Sequence, residues 1–347
     1  MERSHATIRD VAAAVGVSPA TVSRALARPE MVASDTAERV RRAAEALGYS
    51  PSPQARWLHT GKSEAITLVL PDITNPYFFD LIRGAQHEAA RAGYTQMLVD
   101  TEESADLERG HLIAARRTSD GAVLAGPRLS DADLAELSQK FPIVSVNRRI
   151  KGVPSVLIDT LPALESVVDH LADLGHRDIA YLGGPESAWF EPRRWQAVKS
   201  AADRHRIVCR RLGFHPPTLD AGEQSAETVA GGPETAVIAY NDLQALGLLH
   251  GLGRLGVAVP DEISIVGCDD IFGADLVHPS LTTVAGSAEL AGKLATQALL
   301  ERVTTGKNPR RPNRTVPAVL RIRSSTGPAP LRAAGKPDGP RQRLRRG

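Results

Sequence analysis

The chain has 347 residues, enough for more than one domain with a substantial core, and a formal net charge of +2 at pH 7. Its longest apolar stretches fall far short of the roughly 18 residues that cross a membrane, and its two cysteines are too few for a disulfide framework or a cysteine-based zinc site. The charge is uneven: residues 1–62 carry +3, residues 327–347 carry +5, and the stretch between them carries −6. This asymmetry indicates a polyanion as the partner of one end and a different partner for the middle.

The residue pattern also argues against several kinds of site and location. The ten histidines show no metal-ligand spacing, and we expect neither a metal nor a cofactor. The amino terminus lacks the apolar segment of a secretory signal, so we expect a globular, cytoplasmic protein. The stretch from Gly327 consists mainly of Pro, Gly, Ala and Arg without apolar periodicity, and we expect it to be disordered.

Two short helices joined by a tight turn are predicted first. The apolar residues of the first helix recur at helical spacing, and Gly16 can end it in a left-handed conformation. These apolar residues are Ile8, Val11, Ala12 and Val15. Ser18 is a typical N-cap for the second helix, with Pro19 in its first position. Val22 and Leu26 would then point inward. The outer side and the leading turn would carry Ala20, Thr21, Ser23 and Arg24.

A third helix is predicted from Asp35 to Leu47, with Ser34 as its cap and Gly48 as its end. The residues that would close a small core are Val40, Ala44 and Leu47. A helix, a short glycine turn and a second helix with an outward amino-terminal face form the helix-turn-helix design of DNA-binding domains. For this segment by itself, a generic three-helix bundle is nearly as good an interpretation.

The next segment, residues 49–62, combines the signals of a linker and of a helix. Pro51 and Pro53 are typical of a linker, yet Pro53 can also open a helix of one or two turns. A helix that short is not stable alone in water, and it would expose Trp57 and Leu58. One solution is a hinge helix that folds only against a twin helix and DNA, in which Leu58 would act as an apolar wedge in the minor groove.

From Ala65 onward, short apolar runs alternate with amphipathic helices, which predicts a parallel α/β sheet. The predicted strands are Ile66–Leu70, Thr95–Val99, Gly121–Leu124, Ile143–Val146, Ile179–Leu182, Ala236–Ala239 and Ser264–Val266. The series that start at Ile66 and Ile179 are similar, since each has a strand, a proline-containing aromatic loop and a helix. We therefore expect two similar lobes with a ligand in the crevice between them, at the carboxyl ends of the strands.

Polar and aromatic side chains follow several of these strands. They are Asn75, Tyr77, Phe78, Asn147, Arg148, Arg194, Asn241, Asp242, Asp269 and Asp270. Carboxylates, amides and arginines with a few aromatic faces suit a sugar or a nucleoside, because each hydroxyl group both donates and accepts. Individually, Asn75 and Asp242 are better explained as helix caps or turn formers. The clustering at equivalent strand ends is what favours a ligand site.

Two patterns that imitate enzyme motifs do not fit their context. Residues 251–256 match G-x-G-x-x-G, but a nucleotide site needs a strand before this motif. Residues 243–252 instead predict a helix, whose frayed end these glycines would form. Asp269 and Asp270 are adjacent on a loop and should point apart, with no nucleophile or metal-ligand cluster beside them. We expect no enzymatic activity and no catalytic residues.

The amino-terminal motifs resemble the headpiece of the LacI/GalR family of bacterial repressors. They are Ile8-Arg9-Asp10-Val11-Ala12, Gly16-Val17-Ser18, Thr21-Val22-Ser23-Arg24 and Leu47-Gly48-Tyr49-x-Pro51. The resemblance implies that Pro19 and Ala20 read bases and that Arg24 reaches a base. It also places Thr7, Ser18, Thr21 and Ser23 at phosphates or bases, and Ala55 beside the hinge wedge Leu58.

Further motifs extend the resemblance to about Ser325, over an effector domain with the type I periplasmic-binding-protein fold. They are Pro71-Asp72-x-x-Asn75-Pro76-Tyr77-Phe78, Leu174-Gly175-His176-Arg177-x-Ile179, Asn241-Asp242-x-x-Ala245, Val266-Gly267-x-Asp269-Asp270 and Pro279-x-Leu281-Thr282-Thr283-Val284. The implied effector contacts are Tyr77, Phe78, Asn147, Arg148, Arg194, Asn241 and Asp269, to which we add Asn75. In such proteins an aromatic residue near positions 220–225 often stacks on the ligand, and this chain has none there.

The combined prediction is a ligand-responsive transcriptional regulator, most simply a repressor, that binds a pseudo-palindromic operator as a homodimer. Its fold class is an all-α helix-turn-helix headpiece plus an α/β, two-lobed, type I periplasmic-binding-protein-like effector domain. The expected boundaries are 1–50 for the headpiece, 51–62 for the hinge, 63–326 for the effector domain and 327–347 for the tail. The first lobe would comprise residues 63–160 and 288–316, and the second lobe residues 161–287 and 317–326.

Two other classes of protein are open at this point. An exported solute-binding receptor would share the fold of the middle region, but the missing signal sequence and the attached helix-turn-helix count against it. An enzyme that acts in the crevice would need a nucleophile–base pair or a metal cluster, which the sequence does not show.

Overall fold

The computed structural model describes residues 6–49 and 62–330, and the predicted hinge residues Ala55 and Leu58 lie outside these ranges. The chain divides into two compact units, Met1–Ala65 with Thr118–Asp120, and Ile66–Arg117 with Gly121–Gly347. Across residues 6–49 and 62–330, no helix has both the length and the apolar character needed to span a membrane.

Residues 6–49, the described part of the headpiece, form three α-helices and a single turn of 3-10 helix. They are α1 (Ile8–Val15), α2 (Pro19–Ala27), the 3-10 turn Pro29–Met31 and α3 (Ser34–Ala46). Gly16 adopts φ 72°, and the Ser18 Oγ accepts a hydrogen bond of 3.1 Å from the Thr21 N–H. Both features end one helix and start the next as the sequence predicts, and the helix-turn-helix is confirmed.

The core of this unit corrects three details of the prediction. Its buried residues are Val11, Ala12, Val15, Val22, Ala25, Val40 and Ala44, whereas Leu26 is only partly buried. Helix α3 begins at Ser34 with Ala33 as its N-cap, so Ser34 does not cap it. Leu47 is 42% exposed, because Gly48 at φ 64° turns the chain and brings Tyr49 against the core instead.

The α/β region alternates strands and helices. Its strands are β1 (Ala65–Leu70), β2 (Thr95–Asp100), β3 (Gly121–Ala125), β4 (Ile143–Val146), β5 (Ser155–Asp159), β6 (Asp178–Gly183), β7 (Val208–Phe214), β8 (Ala236–Ala239), β9 (Ser264–Cys268), β10 (Thr282–Gly286) and β11 (Asn313–Arg321). Its helices are α4 (Tyr77–Arg91), α5 (Ala105–Ala115), α6 (Asp131–Lys140), α7 (Leu161–Asp173), α8 (Glu191–Arg204), α9 (Leu219–Gln224), α10 (Ala226–Gly231), α11 (Asp242–Arg254) and α12 (Ala288–Thr305).

The strands form one mixed sheet in the order β2-β1-β3-β4-β5-β11-β10-β9-β8-β6-β7. Strand β11 joins its two halves, since Asn313–Pro317 pairs in parallel with β5 and Ala318–Arg321 pairs antiparallel with β10. Each half has its own apolar cores, one set around β1 and β3 and the other around β6 and β8. The predicted two-lobed α/β architecture is therefore confirmed.

The first residues of the predicted tail pack against the second lobe. Gly327 donates its N–H to the Ser264 Oγ at 3.1 Å, and its carbonyl oxygen lies 3.1 Å from Nε2 of the fully buried His176. Ala329 donates its N–H to the Leu174 carbonyl at 2.8 Å. The expectation of disorder is wrong for residues 327–330, because hydrogen bonds of their backbone hold them against the second lobe; residues 331–347 lie outside the described range.

The glycines of the G-x-G-x-x-G pattern lie at the end of a helix and not after a strand. Helix α11 continues to Arg254, so that Gly251 and Gly253 belong to its last turns and not to a frayed end. Gly251 packs against α10, where an added Cβ would lie 2.7 Å from the Ala226 Cβ. The glycine serves close helix packing, which a sequence pattern alone does not reveal.

Candidate functional site

The seven predicted DNA-contacting residues that the structure describes lie on the surface of the first unit. Thr7, Ser18, Pro19, Ala20 and Arg24 are exposed, and Thr21 and Ser23 are partly exposed. The Arg24 Nε donates to the Ala20 carbonyl at 3.3 Å, along the exposed side of α2. Helix α2 has no acidic residue in its first turn, so its positive dipole end is open to a phosphate. This surface is suited to enter a major groove.

The crevice of the second unit lies at the carboxyl ends of the strands. Its lining residues are Pro71, Asn75, Tyr77, Phe78, Glu103, Gly126, Arg128, Asn147, Ala188, Trp189, Phe190, Arg194, Pro217, Tyr240, Asn241 and Asp269. Seven of the eight predicted effector contacts are among them. The loops after both series of strands thus converge, as open α/β sheets require.

Arg148 is the predicted contact that does not line the crevice. Its Nη1 donates to the carbonyls of Pro127 and Leu129 at 2.7 and 2.8 Å, and its Nη2 lies 2.6 Å from Asp131 Oδ1. The preceding Asn147 has a left-handed backbone with φ 59°, which sends the two neighbouring side chains in different directions. Arg148 therefore holds the loop after β3 and not a ligand.

The three asparagines of the crevice are engaged in holding the backbone. Asn75 Oδ1 accepts the Tyr77 N–H at 3.0 Å at the start of α4, and Asn241 Oδ1 accepts the Gln244 N–H at 2.9 Å as the N-cap of α11. Asn147 donates from Nδ2 to the Tyr77 hydroxyl at 2.6 Å. The interpretation as a turn former or cap describes the bond of Asn75, whereas the N-cap of α11 is Asn241 and not Asp242.

Arg194 and Asp269 form the charged centre of the crevice. The Arg194 Nη1 donates to the Tyr240 carbonyl at 2.5 Å, and its guanidinium lies 4.6 Å from the centroid of the Tyr240 ring. Nη2 is 3.7 Å from Asp269 Oδ1, beyond a direct hydrogen bond, although the two side chains are only 9% and 11% exposed. Among the described residues, the buried Arg194 Nε has no hydrogen-bond partner. The Arg194 guanidinium and the Asp269 carboxyl group therefore lie next to each other without a direct hydrogen bond between them.

Burial raises the pKa of Asp269 to about 8, and the nearby Arg194 opposes this rise. A carboxyl group this far from its usual pKa, next to a buried arginine in a crevice, is characteristic of a functional site. The adjacent Asp270 points elsewhere, with Oδ1 2.6 Å from Arg323 Nη2 and Oδ2 2.9 Å from Arg321 Nη1. The expectation that these two aspartates point apart is confirmed.

Several lining residues were not predicted as contacts. Trp189, Phe190 and Tyr240 add aromatic surface, and Glu103 lies 2.6 Å from the Arg128 Nε. Residues 220–225 do not line the crevice. The signal for Trp189 and Phe190 was present in the sequence, as two adjacent aromatic residues in the loop after β6. Glu103 carried no signal, because its placement depends on a left-handed backbone with φ 60°.

Comparison with known proteins agrees with both units. Residues 7–52 match the family described as bacterial regulatory proteins, lacI family, and residues 168–326 match the periplasmic binding protein-like domain. The chain is 33% identical over 337 residues to the HTH-type transcriptional repressor CytR of Escherichia coli (strain K12), which covers 95% of this chain and 98% of that protein. It is 35% identical over 300 residues to the ribose operon repressor of Bacillus subtilis (strain 168), with 85% and 91% covered.

Solved structures extend the likeness to the fold. The Lac repressor dimer bound to operator and the anti-inducer ONPF has a TM-score of 0.81 at 23% identity, covering 93% of this chain and all of that one. A LacI family transcriptional regulator from Enterococcus faecium with bound ribose has a TM-score of 0.68 at 28% identity, covering 76% and 99%. Since the motifs, the two units and the near full-length similarity to CytR agree, this chain belongs to the lacI family of bacterial regulatory proteins.

Proposed function

We propose that this chain is a cytoplasmic repressor that binds a pseudo-palindromic operator as a homodimer. We further propose that a sugar or a nucleoside in the crevice controls its binding to the operator. The observation that carries the effector half is the pair Arg194 and Asp269, two nearly buried charged side chains that line a crevice with aromatic walls and stand 3.7 Å apart without a direct hydrogen bond. The repressors among its relatives support the DNA half.

The DNA half rests on the exposed amino-terminal face of α2. In a dimer, two such helices enter successive major grooves roughly 34 Å apart, so the operator mirrors the two-fold axis of the protein. The proposed contacts of the headpiece are Thr7, Ser18, Pro19, Ala20, Thr21, Ser23 and Arg24, with Ala55 and Leu58 at the hinge. Of these, Arg24 has the long, charged side chain that can reach a base edge.

The effector half rests on chemistry that matches hydroxyl groups. A ligand hydroxyl beside this pair can accept from the Arg194 guanidinium and donate to the Asp269 carboxylate, and so bridge two groups that lie 3.7 Å apart. Two relatives point to the same class: the Bacillus subtilis protein is a ribose operon repressor, and the Enterococcus faecium regulator holds bound ribose.

Control of operator binding requires that the effector prefers one placement of the two lobes. A ligand that contacts both lobes favours the relative placement of the lobes in which it can touch both of them. It can shift the equilibrium between two placements by no more than the difference between its binding free energies for them. Tyr77 and Asn147 belong to one half, and Arg194 and Asp269 belong to the other.

The DNA half is tested by selecting duplexes from a random library with the full chain. The expected result is a palindromic consensus whose affinity falls steeply with salt and is lost in R24A. R117A, which removes an exposed arginine from the second unit, is the matched control and should bind normally. If R24A and L58A both bound the consensus as well as the unchanged chain, operator reading by this headpiece would be wrong.

The effector half is tested by thermal unfolding of the full chain with D-ribose, D-glucose, D-galactose, adenosine, cytidine, guanosine and uridine. A ligand of the folded state raises the melting temperature, and the same compound should change the affinity for the selected operator. D269A should lose both responses. A compound that raised the melting temperature without altering operator affinity would contradict effector control.

A further inference from the structure

The loop after β6 brings an aromatic pair to the wall of the crevice. Trp189 and Phe190 both line it, and their rings meet edge to face at a centroid distance of 5.0 Å and an angle of 87°. Phe190 is buried, whereas Trp189 is partly exposed. The indole is therefore the member of the pair with surface left for another group.

Arg193 fixes the indole in place. Its guanidinium carbon lies 3.5 Å from the centroid of the Trp189 ring, and its Nη1 donates to the Trp189 carbonyl at 2.6 Å. A cation over one face of an indole is an attractive contact, and here it also covers that face. Together with Phe190, Arg193 holds the ring before any ligand arrives, which lowers the entropy cost of stacking.

Positions 220–225 of the second lobe supply no aromatic platform to the crevice. Residues 220–225 carry no aromatic side chain, and Gly222 packs so closely on α11 that an added Cβ would lie 2.1 Å from the Gln244 carbonyl oxygen. Pro217 is the residue from the β7–α9 connection that lines the crevice. In the second lobe the aromatic surface comes from Trp189 and Phe190, in the loop that also leads to Arg194, and from Tyr240, whose ring already lies against the Arg194 guanidinium.

We propose that Trp189 is the stacking platform for the effector and that Arg193 is the positioning residue that holds it. This inference rests on the proposed function, because it concerns the ligand of the same crevice. A ligand that fits this arrangement carries hydroxyl groups that bind Arg194 and Asp269, and it also has a flat apolar face that stacks on Trp189. The CH face of a sugar ring and the face of a nucleobase share this chemistry.

The test uses the full chain with W57F and W195F, which leaves Trp189 as its single tryptophan. The probes are D-ribose, D-glucose, D-galactose, adenosine, cytidine, guanosine and uridine, each titrated while the tryptophan emission is recorded. A probe that binds should change the emission with saturation. In the unchanged chain, W189L should weaken its binding about tenfold, and W189F by no more than about threefold.

W195F is the matched control, because Trp195 packs against Tyr181 at a centroid distance of 5.8 Å and does not line the crevice. Its affinity for the probe should equal that of the unchanged chain. For Arg193, R193M should weaken binding and R193K should restore part of it. If Arg193 acts through the indole, the double variant W189L/R193M binds no more weakly than W189L alone.

The outcomes separate this inference from the proposed function. If a probe binds and controls operator affinity, but W189L binds it equally well and the emission of Trp189 stays constant, the stacking role is overturned and the effector function stands. If no probe binds, the proposed class of effector and the stacking role fall together. A full response to D-ribose supports stacking on a sugar face, and a response confined to nucleosides supports stacking on a base.

Discussion

Asn147 donates a hydrogen bond of 2.6 Å from Nδ2 to the hydroxyl of Tyr77, which lies 70 positions earlier in the chain. Its Oδ1 accepts the Ile158 N–H at 3.1 Å. One amide side chain therefore ties the end of β4 both to β5 and to the first residue of α4. Asn147 shapes the first lobe's side of the crevice, and its amide is occupied before a ligand arrives.

We expect N147A to destabilise the second unit by about 2 kcal/mol, because it leaves the Ile158 N–H without its acceptor and keeps a left-handed backbone on an alanine. N147G should lose less, since glycine tolerates φ 59°. N147D should retain the acceptor for Ile158 and lose the donor to Tyr77. Urea unfolding followed by circular dichroism measures all three. Equal stability of N147A and the unchanged chain would contradict this scaffold role.

Asp269 should make stability and effector binding depend on pH in opposite directions. Its pKa is raised to about 8 by burial, from an ordinary value of 3.8, while Arg194 opposes the rise. Between about pH 4 and pH 8, the folded chain thus holds a proton that the unfolded chain has released. The free energy of unfolding should therefore fall as the pH rises through this window. Melting temperatures from pH 5 to pH 8 check it.

D269N is the control for this pH effect, because it removes the titrating group and keeps the size of the side chain. The difference in melting temperature between the unchanged chain and D269N should shift steadily in favour of D269N as the pH rises. An effector whose hydroxyls donate to the carboxylate should bind more tightly at higher pH. A pH-independent difference between the two chains would show that Asp269 ionises normally in the folded protein.

Ser18 links the stability of the headpiece to its DNA-binding surface. S18A should cost about 1 kcal/mol of headpiece stability, because it removes the acceptor for the Thr21 N–H at the start of α2. S18D retains a capping oxygen next to the positive end of the helix but places a carboxylate against DNA. It should keep the melting temperature and lose operator affinity. If S18D bound the operator normally, this face of α2 would not approach DNA.

Gly84 sets the distance between α4 and α12. An added Cβ would lie 2.0 Å from the Glu289 carbonyl oxygen, so G84A should force the helices apart and cost about 2 kcal/mol or more. G110A is the matched control within α5, where an added Cβ meets nothing within 4 Å. It should raise stability by about 0.5 kcal/mol through better helix propensity. Chemical denaturation that showed the same change for both would overturn this packing argument.

The positions of strands and helices followed well from the sequence where local signals were strong. The strand Ile143–Val146 was predicted to the residue, and Gly16 and Ser18 marked the turn of the headpiece. Errors arose where a residue's burial depended on the next turn of the chain. Leu47 looked apolar enough for the core, but the reversal at Gly48 gives that place to Tyr49.

The sequence predicted the residues of the site less completely than the fold, because the position of a residue at a strand end does not determine where its side chain points. Asn147 and Arg148 are adjacent and equally polar, yet one lines the crevice and the other holds the loop after β3. Trp189 was visible in the sequence as one of two adjacent aromatic residues in the loop after β6, but no role was predicted for it. Glu103 reaches the crevice through a left-handed backbone, and it has no local signature in the sequence.

By itself, the sequence determined the fold class, because helix caps and hydrophobic periods are local features that neighbouring residues decide, and its motifs carried the resemblance that indicated a transcriptional regulator. It also placed the basic charge at the ends and the acidic charge in the middle. The tertiary structure alone decided that Arg194 and Asp269 stand side by side and that Arg193 lies over Trp189. Those relations depend on how the strand ends converge and on which groups burial leaves without partners, and no local pattern encodes either.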